Sequence, residues 1–364
     1  MIDLLPSLQI GPHRVRYPIL QGAMAVRVSG ANLAAAVAEA GGVGVISAFG
    51  LGLTPRGRSP QGGSFGEATQ AALVAELAKA RAQSPQGVLG VNVLAAARGY
   101  RAIARTAAAA GADVIIIGAG LPLDLPEHLA DYPQVALVPM VSNAAAARTL
   151  CQTWQQRYQR LPDALIVENC RTIGGHFSQC EHLDDQAQPL QVAIAQVRAA
   201  LTELKVTLPL IAAGGIWDHS DLRHALALGA DGVQIGSRFI TTHECDAHPR
   251  YKAFHLQAQG QDVMVVPSPV GKPGRALRNA FAERAIAGSL RQEQRCIANC
   301  LESCLCRDHR QTYCLLQALA IAAQGDIENG LIFAGAAIKG SDRLLSVAEL
   351  MTELTRPADL CVHS

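Results

Sequence analysis

Two short glycine turns, one βα unit apart, are the part of this sequence whose residue types and spacing most clearly suggest chemistry. The segment PLIAAGGIWDHSDLRHALALGADGVQIGSRF holds two apolar runs, which end at Gly214-Gly215 and at Gly236-Ser237, and a helical pattern follows each turn. Because glycine lacks a Cβ, backbone N–H groups at such turns can approach an anion, and a helix start adds partial positive charge. The two turns therefore predict a phosphate-binding site, with tight turns that hold no ligand as the alternative.

A cysteine-rich segment is the second feature that suggests chemistry, because five cysteines lie within nineteen residues. Thiolates so closely spaced can converge on one iron–sulfur cluster or zinc ion, although the spacing is not a standard ferredoxin or zinc-ribbon pattern. Two alternatives are a stripe of small packing residues on one helix face and redox-active thiols. The predicted metal ligands are Cys300, Cys304, Cys306 and Cys314, with Cys296 as an alternative ligand.

Eight short apolar runs alternate with helical patterns along the chain. Strands that are nearly all apolar and alternate with helices indicate a parallel sheet covered on both faces, and eight such units favour closure into a barrel. The predicted strands are 18–20, 43–46, 88–93, 114–117, 135–141, 164–167, 210–213 and 232–235. The predicted fold class is therefore α/β, a (β/α)8 TIM barrel with an appended, mainly helical C-terminal region.

The predicted barrel domain covers residues 1–247, and the C-terminal helical or cap region covers 248–364, including the cysteine-rich segment 296–314. Two long polar loops, at 50–66 and 179–191, follow the second and sixth strands. A TIM barrel builds its functional site from loops at this end of its strands.

Composition excludes several classes of function. The 364 residues include 31 Lys plus Arg and 30 Asp plus Glu, so the chain carries no general field that would attract nucleic acid or an anionic membrane. There is no apolar run of 18 residues and no signal-peptide pattern, which leads us to expect a cytoplasmic protein that acts on a small molecule. The sequence does not indicate the oligomeric state.

Five motifs at predicted strand ends carry a family resemblance. In chain order they are YPILQGAMA, Gly90-Val91-Asn92, Gly174-Gly175-His176, AAGGI and GSRF. Together they resemble the nitronate monooxygenase family, formerly the 2-nitropropane dioxygenases, which are FMN-dependent TIM barrels related to flavin-containing enoyl-acyl carrier protein reductases. The resemblance covers roughly residues 15–355, including VPSPVGKPGRALRN and NGLIFAGAAIKGSDRLLSVAELMTEL.

The resemblance implies a set of FMN contacts. Backbone at Gly22 to Met24 would lie along the flavin ring, Asn92 would bind its polar edge, and the two glycine turns would hold the phosphate. The full predicted cofactor set is Gln21, Gly22, Ala23, Met24, Asn92, Gly174, Gly175, Ala213, Gly214, Gly215, Gly236 and Ser237.

His176 is the predicted catalytic residue. An enzyme of this family needs a polar group near the flavin that orients an anionic substrate or moves a proton, and histidine titrates near neutral pH. The sequence departs from the family pattern here, because Phe177-Ser178 follows His176 where a glycine is usual, and the stretch 168–174 is one residue longer.

Three functions are compatible with these residues. The leading one is an FMN-dependent nitronate monooxygenase that oxidises alkyl nitronates with oxygen. A second is an NAD(P)H-dependent reductase of a quinone or an enoyl thioester, in which Arg56, Arg58, Lys272 or Arg275 could meet the phosphates of the nicotinamide cofactor. A third, from another class, is a non-catalytic metal-binding or docking protein on a degenerate barrel.

Overall fold

The chain folds into a closed barrel with further segments over its carboxyl end. The structure is a computed structural model and describes residues 5–54, 64–176, 188–290 and 295–356. The strands within these ranges are β1 (Leu8–Ile10), β2 (His13–Val15), β3 (Ile19–Gln21), β4 (Val43–Ser47), β5 (Val88–Leu94), β6 (Val114–Gly118), β7 (Ala136–Val141), β8 (Leu165–Glu168), β9 (Gly175–His176), β10 (Leu210–Ala213), β11 (Gly232–Ile235), β12 (Val263–Val266) and β13 (Gly274–Leu277).

The helices begin with α1, which lies between the first two barrel strands. Over the same ranges they are α1 (Ala31–Glu39), α2 (Phe65–Gln83), α3 (Tyr100–Ala109), α4 (Leu125–His128), α5 (Ala144–Tyr158), α6 (Leu190–Glu203), α7 (His219–Ala227), α8 (Ser237–Ile240), α9 (Pro249–Gln257), α10 (Ala280–Ile286), α11 (Leu305–His309), α12 (Leu315–Ala323) and α13 (Val347–Thr355).

Eight of the strands close a parallel barrel in the order β10-β11-β3-β4-β5-β6-β7-β8. Each predicted strand overlaps one of these eight, so the TIM-barrel prediction is confirmed. The strands can be apolar along their whole length because one face of each lies inside the barrel and the other lies under the helices. In β8, for example, Ile166 belongs to the cluster inside the barrel and Val167 to the cluster outside it.

An N-terminal hairpin, which the sequence analysis did not predict, closes the amino end of the barrel. The antiparallel pair β1 and β2 adds Leu8, Ile10 and Val15 to the apolar cluster inside the barrel. Two three-residue strands are too short to show a clear period of two in the sequence, which explains why they were missed.

The C-terminal region packs onto the barrel by helices and by a small sheet. Strand β13 pairs with β12 and also with β9, which follows the sixth barrel strand. Helix α13 packs against α1 and α7, the position that closes the ring of outer helices. The region is mainly helical, as predicted, while the domain boundary at residue 247 stays a prediction.

The two predicted polar loops, at 50–66 and 179–191, are only partly described. Helix α2 starts at Phe65, where Ser64 and Glu67 form a capping box, and α6 starts at Leu190, slightly earlier than the predicted end of its loop. Residues 55–63 and 177–187 lie outside the described ranges, and with them Arg56, Arg58 and Phe177-Ser178.

Candidate active site

A cavity of about 400 Å³ opens at the carboxyl end of the barrel, where TIM-barrel sites form. Its walls come from the turns that follow the barrel strands and from the C-terminal region, including Leu319 and Phe333. The predicted site residues that line it are Gly22, Ala23, Met24, Asn92, Gly174, Gly175, His176, Ala213, Gly214, Gly215, Gly236 and Ser237. The fold therefore brings together residues from five separate segments, each at or near the carboxyl end of a barrel strand.

Gln21 is the predicted cofactor residue that does not line this cavity. Side chains alternate along a strand, and because Leu20 points into the barrel, Gln21 points out of it. Its side-chain oxygen accepts a hydrogen bond from the Val45 N–H at 2.9 Å, and its nitrogen donates to Ser29 Oγ at 2.9 Å. The Gln21 side chain thus joins β3 to its surroundings, which corrects the predicted cofactor contact.

The two glycine turns lie side by side, because Ala213 of β10 pairs in register with Gln234 of β11. Gly214 and Gly215 have φ values of +95° and +87°, a backbone conformation that favours glycine. A Cβ on Gly215 would also stand 2.9 Å from Thr172 Oγ1. The turn itself therefore requires glycine at these two positions.

Gly236 differs from the first pair of glycines because its surroundings leave room. A Cβ added there would meet no atom within 4 Å, and its φ is −103°. On the far side, a Cβ on Gly22 would approach the Gly236 Cα at 3.1 Å, so the turns after β3 and β11 are in close contact. The space beside Gly236 is an open cradle bounded by backbone.

A layer of polar side chains forms the floor of the cavity. Asn92, Glu168 and Gln234 lie near the carboxyl ends of β5, β8 and β11, at positions whose alternation points them into the barrel. Glu168 Oε2, Gln234 Oε1 and Thr172 Oγ1 are buried and have no hydrogen-bond partner in the described part of the chain. Since buried polar atoms are normally paired, these three atoms are placed to hydrogen-bond a polar ligand in the cavity.

Sequence reasoning found Asn92 but missed Glu168 and Gln234. Both residues could have been recognised from the sequence, because each is the one polar residue of an otherwise apolar strand. The strand sequences are LIVE for β8 and GVQI for β11. Counting residues from an inward-facing neighbour would have placed both at the cavity.

His176 lies in the cavity wall on β9, as predicted. Its Nε2 is 2.5 Å from Ser268 Oγ, and its ring meets the edge of the Phe333 ring with centroids 5.0 Å apart. The ring touches the cavity but is enclosed by protein, and this burial lowers the pKa of His176 to about 4. The imidazole is therefore neutral at pH 7 and can donate or accept one hydrogen bond at each nitrogen according to its tautomer.

Arg275 holds the chain that leads to His176. Its side chain is buried, and Nη1 donates to the carbonyl oxygens of Cys170 at 2.8 Å and of Ile173 at 3.1 Å. The guanidinium is therefore engaged in the loop before Gly174, which argues against the predicted contact with a nicotinamide cofactor. Lys272, by contrast, lines the mouth of the cavity and is exposed.

The cysteine-rich segment does not form one helix. Cys304 precedes α11 and Cys314 precedes α12, so the alternative of a stripe on a single helix face does not hold. Burial and neighbouring thiols raise the pKa values of Cys300 and Cys306 to about 12. In the described ranges, no group of three or more His, Cys, Asp or Glu side chains is arranged to hold a metal ion.

This result corrects the predicted metal set of Cys300, Cys304, Cys306 and Cys314, with Cys296 as the alternative. Cys304, Cys306 and Cys314 are buried in the apolar core, where cysteine packs as a small hydrophobic side chain.

Within the described residues, no helix is both long and apolar enough to cross a membrane.

Comparison with known proteins supports the resemblance that the motifs suggested. The family model for nitronate monooxygenase matches residues 66–357. A probable nitronate monooxygenase of Bacillus subtilis (strain 168) is 34% identical over 125 residues, which cover 34% of this chain and 35% of that protein. The chain thus aligns with about a third of the length of this curated relative.

A longer match and two solved structures extend the comparison. A Mycobacterium tuberculosis protein, (3aS,4S,5R,7aS)-5-hydroxy-7a-methyl-1-oxo-octahydro-1H-indene-4-carboxyl-CoA dehydrogenase, is 28% identical over 276 residues, 76% of this chain and 67% of that protein. FabK from Thermotoga maritima is 26% identical with a TM-score of 0.70, covering 93% of this chain and 92% of FabK. A nitroalkane oxidase from Streptomyces ansochromogenes, 22% identical with a TM-score of 0.69 and coverage of 93% and 95%, shares the fold.

The closed barrel, with a polar cavity at the carboxyl end of its strands, defines a TIM-barrel protein whose cavity lies where enzymes of this fold carry their sites. More particularly, the chain belongs to the nitronate monooxygenase family, whose model matches most of its length.

Proposed function

We propose that this protein is an FMN-dependent oxidoreductase whose main activity is the oxidation of alkyl nitronates with oxygen. The observation that carries the proposal is that one cavity combines the glycine turns, the polar floor and the neutral His176. Family membership supports the reaction class. The third alternative, a non-catalytic metal-binding or docking protein, loses its metal site, because the described cysteines do not form one.

The residues present fit FMN. The open space at Gly236, beside Gly214 and Gly215, suits a phosphate, and the unpaired oxygens of Glu168 and Gln234 suit the polar edge of a flavin ring. One pair of glycine turns suits one phosphate, and the absence of a GxGxxG sequence after an N-terminal strand argues for FMN over FAD. When bound, FMN would supply the redox chemistry.

The residues of the chain supply binding, orientation and proton handling. The neutral His176, held by Ser268, can hydrogen-bond an anionic nitronate oxygen or accept a proton from substrate. Lys272 at the mouth adds positive charge that attracts an anion. Leu301, Leu319 and Phe333 form an apolar wall that excludes water and suits an alkyl substituent.

A second candidate is an NAD(P)H-dependent reductase that acts on a thioester or a quinone. The observation that favours it is the match to the mycobacterial carboxyl-CoA dehydrogenase, which covers 76% of this chain. Of the four cations predicted to meet a nicotinamide phosphate, Lys272 is well placed and Arg275 is engaged elsewhere, while Arg56 and Arg58 lie outside the described ranges.

Anaerobic mixing separates these functions. Purified protein is mixed in turn with an alkyl nitronate, NADH and NADPH, and the flavin absorbance is followed. Rapid bleaching by the nitronate alone supports the monooxygenase, and bleaching by a reduced nicotinamide alone supports the reductase. Protein that binds no FMN after reconstitution would contradict both.

A further inference from the structure

The proposed function uses Glu168 only as a hydrogen-bonding group for the flavin edge, although its carboxyl group in the cavity can also ionise. It is the last residue of β8 and only 6% exposed, and it follows the inward-facing Ile166 by two residues. Its main chain pairs in register with Ala213, next to the glycine turn. The carboxyl therefore stands in the floor of the cavity, in the same layer as Asn92 and Gln234.

The Glu168 carboxyl has little to stabilise a negative charge. Its Oε2 is buried and makes no hydrogen bond to the described residues, and burial raises the pKa of Glu168 to about 8, with Lys272 opposing the rise. At pH 7 the group is a neutral acid that can donate one hydrogen bond.

The other ionisable groups around the cavity do not change this state near pH 8. His176 is neutral because burial lowers its pKa to about 4, and burial raises the pKa of the Tyr251 phenol.

The positively charged side chains near Glu168 lie elsewhere or at the mouth. Arg275 is bound to the carbonyl oxygens of Cys170 and Ile173, and Arg171 is exposed and does not line the cavity. Lys272 is the cation at the mouth. The strands beside β8 contribute Met140 and Ala213, which do not ionise.

We propose that Glu168 contacts the polar edge of the flavin and couples flavin reduction to the uptake of a proton by the protein. Two-electron reduction adds negative charge to the ring, and an adjacent carboxylate would oppose that charge. When Glu168 is ionised before reduction, its carboxylate therefore takes up one proton from solvent as the two electrons arrive. When it is already a neutral acid, no extra proton is needed.

This inference rests on the proposed function only in taking FMN as the ligand. It goes further in predicting which residue sets the pH dependence of the flavin reduction potential. A residue that served only the packing of β8 would not affect the number of protons taken up.

The test is the flavin reduction potential from pH 6 to 10, measured by dye equilibration during anaerobic reductive titration of the FMN-loaded protein. Wild type and Glu168→Gln are compared, because glutamine keeps the shape and a hydrogen-bond donor but cannot ionise. Below about pH 8 the two proteins should take up equal numbers of protons per two electrons. Above that pH, wild type should take up one more proton than the variant.

Lys272→Met provides a second variant that does not alter the proposed contact. Loss of its positive charge should move the onset of the extra proton uptake to higher pH, since Lys272 favours ionised Glu168. Equal proton uptake by wild type and Glu168→Gln throughout would overturn the inference while leaving the FMN proposal intact. If Glu168→Gln does not fold, the wild-type protein alone can test the inference: no additional proton taken up above pH 8 would overturn it. Failure of the wild-type protein to bind FMN would instead contradict the proposed function.

Discussion

The imidazole of His176 and the hydroxyl of Ser268 are 2.5 Å apart, although 92 residues separate them in the chain. His176 belongs to the barrel segment, on β9, and Ser268 lies between β12 and β13 in the C-terminal region. The C-terminal region therefore takes part in the site, since it holds the orientation of the predicted catalytic ring.

His176→Ala should slow flavin reduction by the true substrate about 10²-fold or more, the usual contribution of a general acid or base. FMN should remain bound, because the glycine turns are untouched. Stopped-flow reduction kinetics measure the effect. Ser268→Ala, which frees the ring without removing it, should give a smaller loss, and equal reduction rates in His176→Ala and wild type would remove His176 from the mechanism.

Gly236→Ala should weaken FMN binding by about tenfold or more, because a methyl group would fill the open cradle proposed for the phosphate. The φ value of Gly236 is one that alanine can adopt, whereas the positive φ of Gly215 is not. A loss of FMN affinity in Gly236→Ala would therefore report on phosphate binding and not on a distorted turn. Fluorescence titration of apoprotein with FMN gives the dissociation constant.

Gly66→Ala is the matched control for this prediction. Gly66 lies in α2, does not line the main cavity, and the nearest atom to its added Cβ is Ser64 Oγ at 3.8 Å. Unchanged FMN affinity in both variants would argue against a phosphate at Gly236.

Arg275→Gln should reduce turnover about tenfold or more while much of the FMN affinity is kept. The carbonyl oxygens of Cys170 and Ile173 would lose a charged donor, and the backbone that positions His176 would become less well ordered. Arg278→Gln is the control, because Arg278 is exposed in the same segment. Steady-state kinetics with both variants should separate them; a similar kcat for the two would contradict the positioning role.

Acid should destabilise the protein between about pH 6.5 and pH 4 through its buried histidines. Burial lowers the pKa values of His176 and His255 to about 4, so the folded state binds fewer protons than the unfolded state in this range. The free energy of unfolding must then fall as pH falls. Glu168 has the opposite effect on the free energy of unfolding, because its raised pKa lets the folded state bind a proton that the unfolded state does not hold in this range.

Urea unfolding of wild type and His255→Gln at pH 7, 5.5 and 4.5 checks this prediction. The variant should lose less stability on acidification, because it has one fewer histidine that must stay neutral in the folded state. Parallel losses in the two proteins would contradict it. His255 does not line the cavity, so FMN binding provides an independent check that the variant is folded.

Cys300 and Cys306 should react slowly with iodoacetamide in the native protein. Their pKa values of about 12 leave almost no thiolate at pH 8, so alkylation should be about 10³-fold slower than after unfolding. Peptide mass spectrometry with time would report each site. Rapid native labelling of Cys306 would show a reactive thiol in place of a packed one.

The sequence by itself determined the eight-stranded barrel, the two glycine turns and the position of His176. Each depends on short-range patterns: an apolar run of strand length, a glycine pair at its end, and a polar residue directly after it. Such patterns can be recognised without knowledge of the rest of the chain. Asn92 was proposed from the family resemblance, and it lies in the cavity, while its contact with FMN stays a prediction.

Only the tertiary structure decided which face of each strand looks into the cavity, and so it excluded the Gln21 side chain and added Glu168 and Gln234. Closure of the barrel sets this direction, because a shift of one residue reverses every side chain in a strand. The pairing of β9 with β13, the contact between His176 and Ser268, and the packing of the cysteines likewise join segments far apart in sequence. Residue spacing along the chain carries no record of such contacts, since they form only when the folded backbone brings those segments together.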